Sequence, residues 1–187
     1  MIDLFKKYVK WKILAYFLAN PNISFHVKQL ARILGISPAS VSSAVKSFHE
    51  DGLLQKEEKG LAHIYWLNSD NSVVAPLKKA YGIALILSAK PEKKFLEIDP
   101  NMISLALFGS YADGSFDEKS DIDFLAITSR KKETLAQIAI KLENELQKEV
   151  SLSVFKLSEW RTRAKKGDAF YKRVVENHIL LYGSGLK

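Results

Sequence analysis

The chain has 187 residues, 47% hydrophobic and 26% charged, with a formal net charge of +7. This suits one large globular domain or two small ones, and no apolar run approaches the ~20 residues of a membrane span. There is no cysteine, which excludes disulfides and thiolate metal sites, and Met1-Ile2-Asp3-Leu4 opens no secretory leader, so a cytoplasmic location is expected.

The charge is uneven. Residues 1–90 carry 12 Lys and Arg against 6 Asp and Glu, whereas residues 91–187 carry 16 against 15. A basic first half beside a near-neutral second half points the first half at a polyanion. The four histidines, His26, His49, His63 and His178, have no metal-ligand spacing and read as surface or capping residues.

In chain order, residues 3–19 show helical periodicity, with Leu4, Val9, Ile13, Leu14, Phe17 and Leu18 on one face. Asn20-Pro21-Asn22 ends that helix. Val27, Leu30, Ala31 and Leu34 mark a second helix, stopped by Gly35. Ser37 is a good N-cap and Pro38 a good first residue for a third helix, which runs to about Asp51. Its apolar residues Val41, Ala44, Val45 and Phe48 fall at i, i+3, i+4 and i+7, leaving Ser40, Ser43 and Lys46 outside. Residues 53–56 and 62–67 read as strands joined at Glu58-Lys59-Gly60.

This order, with Leu30-Ala31, Gly35-Ile36-Ser37 and Val41-Ser42-Ser43-Ala44-Val45-Lys46, resembles a winged helix-turn-helix. The resemblance implies double-stranded DNA as partner, with the helix at 37–51 in the major groove. Ser40, Ser43 and Lys46 are the candidate contacts there, and Lys28, Arg32, Lys56 and Lys59 the candidate phosphate contacts. No arginine lies on that helix, so the commonest guanine contact is missing. A winged helix used for protein contacts is the alternative. A homodimer is expected, because paired winged helices read half-sites about one helical turn apart.

Residues 73–88 read as a linker helix, and Pro91-Glu92-Lys93-Lys94 as the boundary of a second domain. From Phe95 the pattern is α/β. Strands are predicted near 103–108, 121–127 and 150–156, with helices from Ser110, over 131–147, and near 158–165 and 168–177. The helix at 131–147 turns Leu135, Ile138, Ala139, Leu142 and Leu146 inward.

The chemistry lies in Leu107-Phe108-Gly109-Ser110 and, ten residues on, Asp121-Ile122-Asp123-Phe124. Residues i and i+2 of a strand share a face, so Asp121 and Asp123 stand side by side with Ile122 and Phe124 turned inward. Adjacent carboxylates repel unless a cation neutralises them. Mg²⁺ is the usual hard cation, and it commonly brings substrate phosphates with it. The free amides after Gly109 can hold such phosphates.

The pattern resembles the nucleotidyltransferase superfamily related to DNA polymerase beta, in its minimal form. The resemblance implies transfer of a nucleoside monophosphate from an NTP, with Gly109 and Ser110 at the nucleotide and Asp121 and Asp123 as catalytic metal ligands for Mg²⁺. Active members carry a third carboxylate on the next strand. That strand reads Lys148-Glu149-Val150-Ser151-Leu152-Ser153, so Ser151 and Ser153 fall at the candidate positions. Arg161, Arg163, Lys165 and Lys166 form a basic cluster that reads as a solvated helix face.

The resulting fold class is α+β. Residues 1–70 form a winged helix-turn-helix, 71–90 a linker helix, and 91–187 a nucleotidyltransferase-like mixed α/β sheet domain. The implied function is DNA binding in transcription regulation, with a second domain that binds Mg²⁺ and a nucleotide (ATP is the expected one) and transfers weakly or not at all. The alternative is an active nucleotidyltransferase that modifies a protein or RNA acceptor. A module without a nucleotide site is a third reading.

Overall fold

The computed structural model describes residues 2–60 and 62–187, apart from the side chains of Lys59 and Ala62. The chain divides into two units, Met1–Ala84 and Leu85–Lys187. The division falls within a helix, whereas the sequence suggests a boundary at Pro91.

In the first unit, the single helix expected over residues 3–19 is two, α1 (Ile2–Lys7) and α2 (Val9–Ala19). Tyr8 between them is extended, at φ −98° and ψ 129°. The break turns Phe5 inward, edge-on to Trp11 at 5.4 Å and to Tyr81 at 5.2 Å. Phe5 is therefore buried while Leu4 and Val9, expected on the apolar face, are exposed. Burying a Phe side chain contributes about 1.5–3 kcal/mol, enough to offset the lost helical continuity. Ile13, Leu14, Phe17 and Leu18 are buried as the periodicity requires.

A two-residue strand that the sequence reading lacked, β1 (Phe25–His26), precedes α3 (Val27–Leu34). Gly35 ends α3 in the left-handed region, at φ 64°. Lys12 Nζ donates to the carbonyl of Leu34 at 2.8 Å, a cation placed where the helix dipole is negative. In α4 (Pro38–Glu50), Ser37 Oγ accepts the amide of Ser40 at 3.1 Å and Pro38 opens the first turn. Val41, Ala44, Val45 and Phe48 are buried. The strands β2 (Leu54–Lys59) and β3 (Ala62–Leu67) pair antiparallel and complete a three-stranded sheet in the order β1-β3-β2. α5 (Val74–Ser88) follows.

The second unit opens with α6 (Pro91–Ile98), so Pro91 begins a helix rather than an open linker. Its four strands are β4 (Ser104–Phe108), β5 (Ile122–Ile127), β6 (Val150–Phe155) and β7 (His178–Gly183), in the order β6-β5-β4-β7. Only β5 and β6 are parallel, and α8 (Lys132–Leu146) makes the crossover between them. The short α7 (Ser110–Asp113) joins β4 to the segment before β5, and α9 (Leu157–Lys166) and α10 (Ala169–Glu176) lie between β6 and β7.

The sheet is covered on both faces. Phe124 meets Phe95 of α6 on one face, and Leu135, Ile138, Ala139, Leu142 and Leu146 of α8 are buried. On the other, Ala106, Leu125 and Ile127 pack with Trp160 and Val174 of α9 and α10. Asp123 shares this second face at the strand's beginning. Asp99, buried beyond the opposite end, accepts a hydrogen bond from Thr128 Oγ1 and faces Arg130 Nε at 3.8 Å.

Candidate active site and nucleic-acid interface

β4 ends at Phe108, and the chain then needs Gly109. Its φ of 70° and ψ of −156° lie in a region that only glycine occupies freely. Space imposes the same choice. A Cβ at residue 109 would overlap Asp123 Oδ2 and sit 3.2 Å from Asp123 Cγ. Ser110 then opens α7, with the amides of Ala112 and Asp113 returning to the carbonyl of Gly109.

Phe108 pairs with Asp123 across β4 and β5. Asp121 precedes the first residue of β5 and is exposed, whereas Asp123 is half-buried on the strand. Ile122 and Phe124 are fully buried, so the alternation read from the sequence holds. The loop before Asp121 is fixed by its own side chains. Ser120 Oγ donates to Asp117 Oδ1 at 2.8 Å and accepts the amide of Asp117 at 2.9 Å. Lys148 Nζ donates to the carbonyl of Glu118 at 2.7 Å.

Burial, and then the neighbouring charge of Asp121, push the carboxyl of Asp123 above its ordinary pKa, while a hydrogen bond from Ser151 pulls the other way. Ser151 is level with Asp123 in the parallel β5–β6 pair. Ser153 is level with Leu125, one pleat farther along. Of the two serines at the candidate positions for a third carboxylate, Ser151 is therefore the one beside the pair. Glu149 lies before β6 and is exposed. Glu159 accepts the amide of Lys156 at 2.9 Å and closes the first turn of α9.

No group of three or more His, Asp or Glu suited to a metal occurs among the described residues. Two carboxylates still fit Mg²⁺, which is commonly held by one or two of them together with substrate phosphates. The mutual repulsion at Asp121 and Asp123 is the feature of this site that a divalent cation would relieve.

On the first unit, Ser40, Ser43 and Lys46 are exposed along α4, as are Lys28 and Arg32 on α3. Ser40 Oγ already accepts a hydrogen bond from Ser37 Oγ at 2.8 Å. Lys56 is tied to Glu58 at 2.7 Å, and this hydrogen-bonded pairing raises its pKa. The side chain of Lys59 lies outside the described residues. In the second unit, Arg163 is partly exposed on α9 and already has partners. It pairs with Asp168 at 2.9 Å and lies over the ring of Phe155 at 4.9 Å. No helix among the described residues is long and apolar enough to cross a membrane.

The model of the nucleotidyltransferase domain matches residues 89–182, and that of the MarR family matches residues 7–60. No curated protein matches the chain. Among solved structures, a chain of a toxin-antitoxin with AMP-PNP is similar at 24% identity, covering 51% of this chain and 73% of that one, with a TM-score of 0.40. A possible transcriptional regulator from Methanosarcina mazei Go1 is 20% identical, with coverages of 48% and 82% and a TM-score of 0.34. A chain from the tri-AMPylated Shewanella oneidensis HEPN toxin in complex with MNT antitoxin is 20% identical, with coverages of 55% and 73% and a TM-score of 0.36. The glycine turn, the aspartate pair and the matched span agree: the chain belongs to the nucleotidyltransferase domain family and carries a MarR-family winged-helix domain ahead of it.

Proposed function

We propose that this is a DNA-binding regulatory protein whose nucleotidyltransferase domain holds Mg²⁺ and a nucleotide and transfers weakly, if at all, to external acceptors. The observation that carries the reading is the register of β5 and β6, in which the neutral Ser151 stands beside Asp123. Two carboxylates suffice to hold Mg²⁺ against nucleotide phosphates. Activating an external hydroxyl calls for a further base or metal ligand, and a serine is a poor substitute.

In this reading Asp121 and Asp123 hold the cation. Gly109 lets the backbone approach the phosphates, and Ser110 offers them its amide and hydroxyl. The bound ion would neutralise phosphate charge and draw the α-phosphate toward the carboxylates. The winged helix contributes Ser43, Lys46, Lys28 and Arg32 toward DNA, and a dimer sets the half-site spacing. The nucleotide is the signal, and the DNA-bound population is the output.

Calorimetric titration with α,β-methylene-ATP, with and without Mg²⁺, tests the nucleotide half. The expected result is Mg²⁺-dependent binding that is lost in Asp121→Asn/Asp123→Asn, while DNA affinity without nucleotide is unchanged. Absence of binding with analogues of all four nucleotides overturns it. Sustained transfer to an added protein or RNA would instead support an active nucleotidyltransferase.

A further inference from the structure

The sheet order puts Asp123 between two different neighbours. On the β4 side stand Phe108 and the Gly109-Ser110 turn, and on the β6 side stands Ser151. Strands lie about 4.8 Å apart, so the two flanks are about 10 Å from each other across the carboxylate. In an in-line displacement at phosphorus, the attacking and leaving oxygens lie on opposite sides of the reacting atom. With phosphates on the glycine side, the opposite side is that of Ser151.

Ser151 is exposed and stands level with Asp123 in the parallel pair. Nearby hydroxyls are differently placed. Ser120 is engaged by Asp117, and Tyr111 is buried. Ser153, level with Leu125, is about 6.6 Å farther along its strand.

We propose that Ser151 is the acceptor of a nucleotidyl transfer within the chain, a modification site built into the nucleotide pocket. The inference rests on the nucleotide reading above. Ser151 Oγ forms a bond to the α-phosphorus of the NTP. The bond from that phosphorus to the α,β-bridging oxygen breaks, and pyrophosphate leaves with the electron pair. The hydroxyl proton passes to water. The product is a phosphodiester joining Ser151 to the nucleoside. A tethered hydroxyl gains from proximity what the missing third carboxylate would otherwise supply. The reaction occurs once per chain, and its product fills the pocket.

The test incubates the full chain with Mg²⁺ and each NTP in turn, followed by intact-mass measurement and peptide mapping. The expected result is a gain of one nucleoside monophosphate on the peptide holding Ser151, at a rate independent of chain concentration. Ser151→Ala should abolish the gain, Ser151→Thr should retain part of it, and Ser153→Ala should label like the unaltered chain. Calorimetry supplies a second readout. The modified chain should lose its Mg²⁺-dependent affinity for α,β-methylene-ATP. Analogue binding without an adduct overturns the inference and leaves the nucleotide reading standing. So does an adduct on any other residue, or a rate that rises with concentration. Absence of analogue binding overturns both.

Discussion

Replacing Ser151 by Asp puts a third carboxylate beside the existing pair. Residue 151 is level with Asp123 on a strand about 4.8 Å away, so the new charge lies about 5–6 Å from the old one. At an effective dielectric constant of about 20, one such like-charge contact costs about 3 kcal/mol. Because residue 151 is exposed, water reduces this to about 1–2 kcal/mol. For a unit of this size each kcal/mol shifts the melting temperature by about 4–8 °C. The assay is thermal unfolding in EDTA and in millimolar Mg²⁺, at pH 8 and pH 5. In EDTA at pH 8 the variant should melt below the unaltered chain. The deficit should shrink at pH 5, because burial and the neighbouring charge hold Asp123 above its ordinary pKa and acid discharges the cluster from there. With Mg²⁺ the order should reverse, since three carboxylates hold the ion more tightly than two. A melting temperature that ignores both pH and Mg²⁺ would refute the placement of residue 151 beside the carboxylates.

Gly109→Ala forces a side chain into a glycine-only conformation and against Asp123, and should cost about 1–3 kcal/mol in denaturant unfolding along with the nucleotide affinity. Asp123→Asn should raise the metal-free melting temperature. The folded-state pKa of Asp123 lies above its ordinary value of 3.8, so the native form resists ionisation there. The advantage of Asn is therefore absent below that ordinary value, grows as pH rises through the folded pKa, and is complete by pH 8. For DNA, Lys46→Ala should weaken binding across sequences and reduce the salt slope by about 1, measured by fluorescence anisotropy over a salt series. Lys56→Ala should change the slope less, because Glu58 already holds that ammonium.

The parts of this molecule that were legible beforehand share a cause: local signals there agreed with long-range packing. Ser37-Pro38 specifies a helix start by its own hydrogen bond and ring, and Gly109 specifies a turn by its φ. The alternation Asp121-Ile122-Asp123-Phe124 could be read because one side of β5 is fully buried. What escaped was settled by partners distant in the chain. Phe5 breaks the first helix to reach Tyr81, a contact that no periodicity within residues 3–19 encodes. β1 is only two residues long and exists through its pairing with β3. Arg163, one of four basic residues in a run, is held by Phe155 and Asp168 at the surface.

The same distinction bears on the site. The aspartate pair announces itself in sequence, because two carboxylates at i, i+2 are unfavourable without a purpose. The serine that faces them does not, since a hydroxyl in a strand is ordinary. Only the parallel register, imposed by the α8 crossover, separates Ser151 from Ser153 and sets one of them against Asp123. A one-residue slip of β6 would turn both serines to the opposite face, and Val150 and Leu152 would lose their burial. The apolar alternation of β6 therefore fixes the face its serines take, and the crossover fixes which of them stands where a third carboxylate would be. The apolar residues of β6 and the length of its crossover thus determine together which side chain the site presents beside Asp123.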